Sequence, residues 1–267
     1  MSRSAAEGLG RRRTGLPVLP GAALGAYVRQ YVVPAAPILL LAQPLAFGVL
    51  TVGSRAADAT VPATVTAAGA GALSMWTLLL GGASWSLWTE RQQGRLRLAL
   101  ASPTPVAALF ALFLAAAAVV SFASVAVAVL AVPALFGELP DGGELARALP
   151  GLVALALAVL ATGLALTPLF VGADGAVVWF DGLVYPVAIL GGFFAPVSAL
   201  PRLLELLAAA LPPYWAFRLL TASVGGGPLR PVVAGLALTV LGCVAVYAVG
   251  MRVVLHRIRD TGSVGLG

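Results

Sequence analysis

Long apolar runs alternate with short polar segments along most of the chain. Six of these runs are about 20 residues long, which is the length that an α-helix needs to cross the hydrocarbon core of a bilayer. They extend roughly over Tyr31–Gly53, Thr64–Trp88, Val106–Val132, Leu149–Val171, Val177–Ala195 and Val232–Leu255. The pattern predicts an all-α, polytopic membrane protein with six transmembrane helices.

The composition supports this prediction and excludes a water-soluble globule. Hydrophobic residues make up 60% of the 267 residues and charged residues only 10%, whereas soluble domains average about 45–50% and about 25%. The mean hydropathy is +1.01. We therefore expect a six-span domain over residues 31–255, flanked by cytoplasmic tails at residues 1–30 and 256–267.

The N-terminal tail contains a basic cluster, Arg11–Arg13, that has two interpretations. A twin-arginine export signal would continue into a strongly apolar core, but the following TGLPVLPGAALGA is only weakly apolar. The sequence favours a retained tail. Apolar side chains then recur at helical spacing, which predicts a helix lying in the membrane interface. These side chains are Leu24, Tyr27, Val28 and Tyr31.

The distribution of arginine predicts the orientation of the chain. With the N-terminus inside, eleven Arg fall on the inner side: Arg3, Arg11, Arg12, Arg13, Arg29, Arg91, Arg95, Arg97, Arg252, Arg257 and Arg259. Five fall outside: Arg55, Arg147, Arg202, Arg218 and Arg230. Cytoplasmic loops carry the excess of basic residues, so both termini are expected in the cytoplasm. Because these arginines follow the expected membrane topology, the net charge of +6 does not indicate a nucleic-acid partner.

Several kinds of chemistry are excluded by what the chain lacks. Its sixteen basic residues are all Arg, and a phosphate-binding loop of the GxxxxGK[ST] type needs its Lys. This chain therefore does not hydrolyse ATP by that route. One Cys and one His, Cys243 and His256, form no internal disulfide and no metal site. We expect no catalytic residue, no metal and no cofactor bound by this chain.

The polar loop between the second and third runs has two interpretations. Charges and leucines alternate from Glu90 to Leu100, and the segment ends at Ser102-Pro103. A solvated loop with basic anchors would account for the charges. A docking element that inserts its leucines into a groove of a partner would account for both the charges and the leucines.

The segment between the fifth and sixth runs is too short and too broken to be a span. Pro196 is predicted to end the fifth helix just after the aromatic pair Phe193-Phe194. Leu200–Leu211 then predicts a helix that ends at the pair Pro212-Pro213 and is too short to cross. Broken backbone at membrane depth is tolerated only under protein or beside water. We therefore expect a short re-entrant or extracellular helix that acts as a lid or gate.

In this order, the two segments resemble those of type-2 ABC exporter permeases over residues 25–258. The family loop reads roughly E-R-E-x-G-T-L-E-x-L-L-x-S/T-P, and the matching residues are Glu90, Arg91, Gly94, Leu96, Leu98 or Leu100, Ser102 and Pro103. Arg95 and Arg97 depart from the usual Thr and acid. The family segment S-G-x-F-F-P-x-S-x-L-P matches Gly192, Phe193, Phe194, Pro196, Ser198, Leu200 and Pro201. Its closing L-P-x-x-W-A-x-R matches Leu211, Pro212, Trp215, Ala216 and Arg218.

The resemblance implies a permease that exports a hydrophobic or amphipathic, drug-like small molecule across the plasma or inner membrane. A polysaccharide or lipid exporter of the same family is the alternative. It further implies two ATP-binding subunits, which hold ATP and Mg, and a second permease that is identical or paralogous. The coupling helix would use Glu90, Arg91, Gly94, Arg95, Leu96, Leu98, Ser102 and Pro103. Phe193, Phe194 and Pro196 would form the outer gate, with the aromatic rings of both copies meeting on the dimer axis.

Three other functions have weaker support. An intramembrane serine protease would pair Ser84 with His256, but His256 lies among arginines at the rim of the membrane. A phospholipid-building transferase would begin D-G-x-x-A-R, which the D-G-G-E-L-A-R starting at Asp141 misses by one residue. A membrane scaffold would not need the Glu90–Pro105 loop. Finally, Asp181 is either an intramembrane polar site, which attracts a cationic substrate or pairs with an Arg of the neighbouring subunit, or, like Asp174, an ordinary interface acid.

Overall fold

A computed structural model of the chain describes residues 25, 37–54, 62–92, 106–172, 176–194, 197 and 200–261. These residues form helices joined by short turns, and this part of the chain contains no strand. The prediction of an all-α protein is confirmed. Of the predicted interfacial helix only Gly25, which is helical, lies within the described residues.

Nine helical elements follow one another in the described part. A π-helical segment, Pro37–Ala42, leads into α1, Gln43–Ser54. The remaining helices are α2 (Ala63–Gln92), α3 (Val106–Leu135), α4 (Gly142–Gly172), α5 (Ala176–Leu190), α6 (Arg202–Ala208), α7 (Pro212–Gly225) and α8 (Leu229–Thr261).

Four described helices are long and apolar enough to cross a membrane. Their apolar stretches are Ala63–Gly81, Phe110–Leu135, Gly142–Gly172 and Leu229–Arg257. The pair α6 and α7, bent by 94°, would count as a fifth if it were one broken span. The chain is therefore a multi-pass membrane protein, and six spans remain a prediction because α1 and α5 have only 12 and 15 residues.

The π-helical segment ends at Ala42, two residues before Pro44, which is the second residue of α1. A proline inside a helix has no N–H to donate, and its ring collides with the carbonyl four residues earlier. An inserted residue that widens the preceding turn relieves this conflict, and such bulges are a recognised cause of helix bending.

Helix α2 lies at the centre of the bundle, where α1, α3, α4 and α5 pack around it. Small side chains permit this, and they are those of Ala67, Ala68, Gly69, Ala70, Gly71 and Ala72. Gly71 faces α3, and its carbonyl accepts a hydrogen bond of 3.1 Å from the Ser124 hydroxyl. The Trp76 indole donates to the Val184 carbonyl of α5 at 3.2 Å. Small residues and interhelical hydrogen bonds are what holds helices together in lipid.

Neighbouring contacts fix which helix ends lie together. Tyr247, late in α8, donates its hydroxyl to the carbonyl of Ala107 at the start of α3. Gly172, the last residue of α4, lies against Val254 of α8. The ends of α2, α4 and α8 therefore lie at one end of the bundle, together with the starts of α3 and α5. We call this end, which contains Gln92, the Gln92 end.

Helix α4 begins at Gly142, seven residues before the predicted start at Leu149. Asp141 caps it, because its carboxylate accepts from the Glu144 N–H and its carbonyl accepts from the Leu145 N–H at 3.0 Å. Glu144 in turn accepts from the Thr64 hydroxyl of α2. The acidic D-G-G-E segment thus serves as a helix start and an interhelical tie.

Helix α5 ends at Leu190, five residues before the predicted end at Ala195, and glycine causes this earlier end. Gly192 adopts φ 81°, and its N–H donates to the Ile189 carbonyl at 3.1 Å. The Phe193 N–H donates to the Ala188 carbonyl at 3.0 Å. These two bonds form a Schellman motif, in which a left-handed glycine closes the helix. The prediction that Pro196 ends this helix was therefore wrong.

The predicted helix Leu200–Leu211 is also shorter in the structure, where α6 ends at Ala208. The prolines Pro212 and Pro213 begin α7 instead of only ending the helix before it. Proline fits the first turn of a helix, where its missing N–H has no partner to lose. At the other end of the chain, α8 continues to Thr261, beyond the predicted end of its span at Leu255.

Candidate coupling segment, gate and cavity

The predicted coupling residues begin on an unbroken helix. Glu90 and Arg91 lie in the last turn of α2. A helix of 30 residues is about 45 Å long, compared with a hydrocarbon core of about 30 Å. The helix is therefore longer than the core is thick, and Glu90 and Arg91 lie at its end. The other predicted coupling residues lie outside the described residues: Gly94, Arg95, Leu96, Leu98, Ser102 and Pro103.

Phe193 lies in the turn at 191–194, at the end of the bundle opposite Gln92. It is only 3% exposed. Its backbone carbonyl rests on Gly69 of α2, so closely that a Cβ on Gly69 would overlap the oxygen. Its ring lies 6.0 Å from the ring of Phe217 in α7. Phe193 therefore connects α2 to α7 within one chain.

Phe194 points elsewhere and stays partly exposed. Its ring meets Phe47 of α1 edge-on, with centroids 6.2 Å apart. The two neighbouring aromatics thus have different surroundings. Phe193 is enclosed by its own chain in this conformation, and Phe194 is the ring with surface left for a second copy. Pro196, the third predicted gate residue, lies outside the described residues.

The residues of the motif L-P-x-x-W-A-x-R form the corner between α6 and α7. Pro212 begins α7, and the Trp215 indole donates to the Ala209 carbonyl at 2.8 Å, which ties the corner together. Arg218 donates to the Tyr214 hydroxyl at 3.0 Å. Its guanidinium lies 5.5 Å and 5.7 Å from the centres of the Tyr214 and Trp215 rings. These are cation–π distances.

A cavity of about 560 Å³ lies beside this corner. The turn after α5 contributes Gly192 to it, α6 contributes Glu205, and α7 contributes Tyr214, Phe217 and Arg218. The loop into α8 closes it. Its volume is in the range of about 300–1,000 Å³ that is usual for small-molecule sites.

Asp181 lies inside α5, the sixth residue of the helix, and its side chain lies outside the described residues. Asp174 also lies outside them. The described helix begins at Ala176, which puts the Asp181 backbone about one turn from the helix start. Its role as an intramembrane polar site stays a prediction.

Sequence reasoning missed Gly69 and Glu205. The run of Ala and Gly around Gly69 is the signal that marks it, since small residues in a membrane span indicate close packing of another backbone. Glu205 is the only acid in α6, whose other residues are apolar apart from Arg202 at its start. A charge in such a context indicates a polar environment on that face.

Comparison with known proteins gives one match. A model of the ABC-2 type transporter family matches residues 27–224, which is most of the chain. The chain belongs to the ABC-2 type transporter family. None of the curated proteins and none of the solved structures compared with the chain matches it. The matched region of this ABC-2 transporter chain includes the end of α2, the 191–194 turn and nearly all of α7, and stops before α8.

Membership has two direct consequences. The chain is the membrane permease component of an ABC transporter, in a family whose members are generally not catalytic themselves. Such permeases normally work with an ATP-binding subunit. The sequence-based identification of the family is confirmed.

Proposed function

We propose that this chain is the permease of an exporter that moves a hydrophobic or amphipathic, drug-like molecule out of the cell. A separate subunit would hydrolyse the ATP, with its Mg. The complex would contain two ATP-binding subunits and two permeases, identical or paralogous, in the plasma or inner membrane. Both termini would face the cytoplasm.

One observation carries this proposal, namely that α2 joins the predicted coupling residues to the predicted gate. Glu90 lies in its last turn, and Gly69 contacts the Phe193 carbonyl. The 21 residues between Gly69 and Glu90 span about 32 Å at 1.5 Å per residue. A displacement at Glu90 would therefore be felt at the 191–194 turn without any intervening loop.

The relative position of the helix ends supports the same assignment. The ends of α2 and α8 and the start of α3 lie together at the Gln92 end, while the 191–194 turn lies at the opposite end. An ATP-binding subunit docked at the Gln92 end would thus act from the side opposite the gate.

The test begins with co-purification of the tagged chain and identification of the ATP-binding subunit by mass spectrometry. The reconstituted complex is then compared with the double variant Glu90→Ala/Arg91→Ala. We expect normal expression, but loss of the ATPase activity that substrate stimulates, because the docking contacts are gone. The matched control is Glu138→Ala/Arg147→Ala, which removes one acid and one base at the opposite end and should keep stimulation.

Full stimulation in the Glu90/Arg91 double variant, with the complex intact, would show that coupling uses other residues. If no ATP-binding subunit co-purifies with the tagged chain, the proposal fails and a membrane scaffold becomes the better explanation. Transport of a polysaccharide by the reconstituted complex, instead of small amphipathic molecules, would replace the proposed substrate class.

A further inference from the structure

Two opposite charges line the cavity beside the α6–α7 corner without meeting each other. Glu205 and Arg218 both face it, yet no ion pair joins them among the residues that the structure describes. Glu205 is half-buried, and within that part of the chain its carboxylate has no hydrogen-bond partner. The carboxylate and the remaining guanidinium donors are therefore both available to a ligand that carries one group of each charge.

Arg218 is held in place by its neighbours and still has N–H donors for a ligand. One guanidinium N–H donates to the Tyr214 hydroxyl, and two aromatic rings support the group. A guanidinium has five N–H donors. The remaining donors form a fork suited to phosphate, which arginine binds in a bidentate manner.

The cavity lies at the level where the apolar part of the bundle ends. Gly227 and Pro228 line it, and the apolar stretch of α8 begins at the next residue, Leu229. From the start of this stretch we infer that the cavity lies near the boundary of the hydrocarbon core, where lipid headgroups lie.

Apolar surface on the same short helix continues from the cavity. Leu203, Leu206 and Leu207 of α6 are 70%, 66% and 52% exposed. Glu205 lies among them in sequence but lines the cavity. A pocket with one acid and one base beside exposed leucines is complementary to a molecule with a zwitterionic headgroup and hydrocarbon chains.

We propose that this cavity binds the headgroup of an amine-bearing zwitterionic phospholipid of the phosphatidylethanolamine class. The phosphate binds Arg218 and the ammonium binds Glu205, while the acyl chains lie along the leucines of α6. The ammonium of ethanolamine donates hydrogen bonds to a carboxylate, which the trimethylated choline headgroup does not. A phosphatidylglycerol headgroup has no cation for Glu205. This site is separate from the coupling function and does not depend on it.

The experiment uses the full chain in nanodiscs that contain equal amounts of phosphatidylethanolamine, phosphatidylcholine and phosphatidylglycerol with matched acyl chains. The protein is re-extracted in mild detergent, and the retained lipid is quantified by mass spectrometry. We expect phosphatidylethanolamine to be enriched about three- to fivefold over both other lipids, the ratio that one partly exposed ion pair supplies. Retention of the three lipids in their bulk ratio, or enrichment of phosphatidylglycerol, would overturn the proposal.

Two variants and their controls locate the site. Glu205→Gln should abolish the preference for phosphatidylethanolamine over phosphatidylglycerol, and Arg218→Gln should lower retention of all three lipids. The controls Glu138→Gln and Arg230→Gln remove exposed charges at the same end of the bundle and should retain the preference. Unchanged enrichment in Glu205→Gln would also refute the assignment. The comparison of lipids in the unmodified chain stands even if a variant fails to fold.

A last arm distinguishes a lipid from a soluble zwitterion. Free glycerophosphoethanolamine carries the same headgroup without acyl chains. At a concentration equal to the lipid it should leave the retained phosphatidylethanolamine in place. If it displaces the lipid at equal concentration, the leucines of α6 contribute nothing and the site is one for a soluble molecule.

Discussion

Gly69 of α2 lies directly against the backbone carbonyl of Phe193, with no room between them for even a methyl group. The contact joins the most enclosed helix of the bundle to the turn that ends α5. Because the obstructing atom belongs to the backbone, it cannot move aside as a flexible side chain would. Any group larger than hydrogen at position 69 would therefore require the 191–194 turn to shift.

Gly69→Ala should destabilise the fold by about 1–3 kcal/mol, the usual cost of overfilling a packed site. The measurement is the melting temperature of the purified chain in detergent. Gly242→Ala is the matched control, since Gly242 is also helical but has open space around it. Alanine favours helix over glycine by about 1 kcal/mol, so the control should melt at the same temperature or higher. Equal melting temperatures for the two variants would mean that the turn yields freely.

Phe193→Ala and Phe194→Ala should have different effects. Phe193 is 3% exposed, so its truncation should cost about 3–5 kcal/mol, as for other buried Phe→Ala changes. Phe194 is only partly buried, and its truncation should cost less. In the complex reconstituted with its ATP-binding subunit, Phe194→Ala should raise ATP hydrolysis in the absence of substrate, because a hydrophobic constriction seals by excluding water.

The contrary outcome for the gate is simple to recognise. If both phenylalanine variants transport and hydrolyse ATP like the parent, the rings are packing residues and the gate lies elsewhere. A rise in substrate-free hydrolysis for Phe193→Ala alone would show that the enclosed ring, rather than Phe194, forms the seal.

Cysteine labelling tests the orientation predicted from the arginines. In a Cys243→Ser background, Gly142→Cys should react with an impermeant thiol reagent in intact cells, because Gly142 is exposed at the start of α4. Ser263→Cys, outside the described residues, should react only after permeabilisation. Labelling of Ser263→Cys in intact cells would reverse the topology and put the Gln92 end outside.

Gln43→Met should leave the melting temperature unchanged or raise it. The Thr77 hydroxyl donates its proton to the Leu73 carbonyl at 2.8 Å, so it can only accept from the Gln43 amide nitrogen, at 3.4 Å. The Gln43 carbonyl oxygen is then buried without a partner. Such an atom costs about 1–3 kcal/mol, and methionine removes it at similar volume. Thr77→Val, which keeps the unpaired oxygen and removes the existing bond, should melt lower, and a reversed order would contradict this account.

The sequence predicts a helix well where an apolar run is long and uninterrupted. Val106 is both the predicted and the observed start of its helix, and Ala63–Gln92 brackets the predicted Thr64–Trp88. Hydrophobicity does not predict the start of a helix that begins in polar residues. The start of α4 was missed for this reason, although Asp141 followed three residues later by Glu144 is a recognisable cap.

Proline was the less reliable guide to the segment between α5 and α8. Pro212 was interpreted as the end of one helix. This interpretation missed the helix that Pro212 begins, because proline is also favoured in the first turn of a helix. The end of α5 was predicted from Pro196, but the residue that ends this helix is Gly192, through its left-handed conformation. The cavity could not be predicted at all, since it depends on where three short segments meet in space.

The absence of proline from α2 has a mechanical consequence. Its long neighbours α3 and α4 and the shorter α5 carry proline in their interiors, whereas none interrupts α2 over its 30 residues. Helix α2 therefore lacks the proline hinge at which its neighbours can bend. We therefore expect a displacement of its last turn to be passed along the helix axis to the carbonyl that rests on Gly69, so that the Gln92 end and the 191–194 turn would change position together.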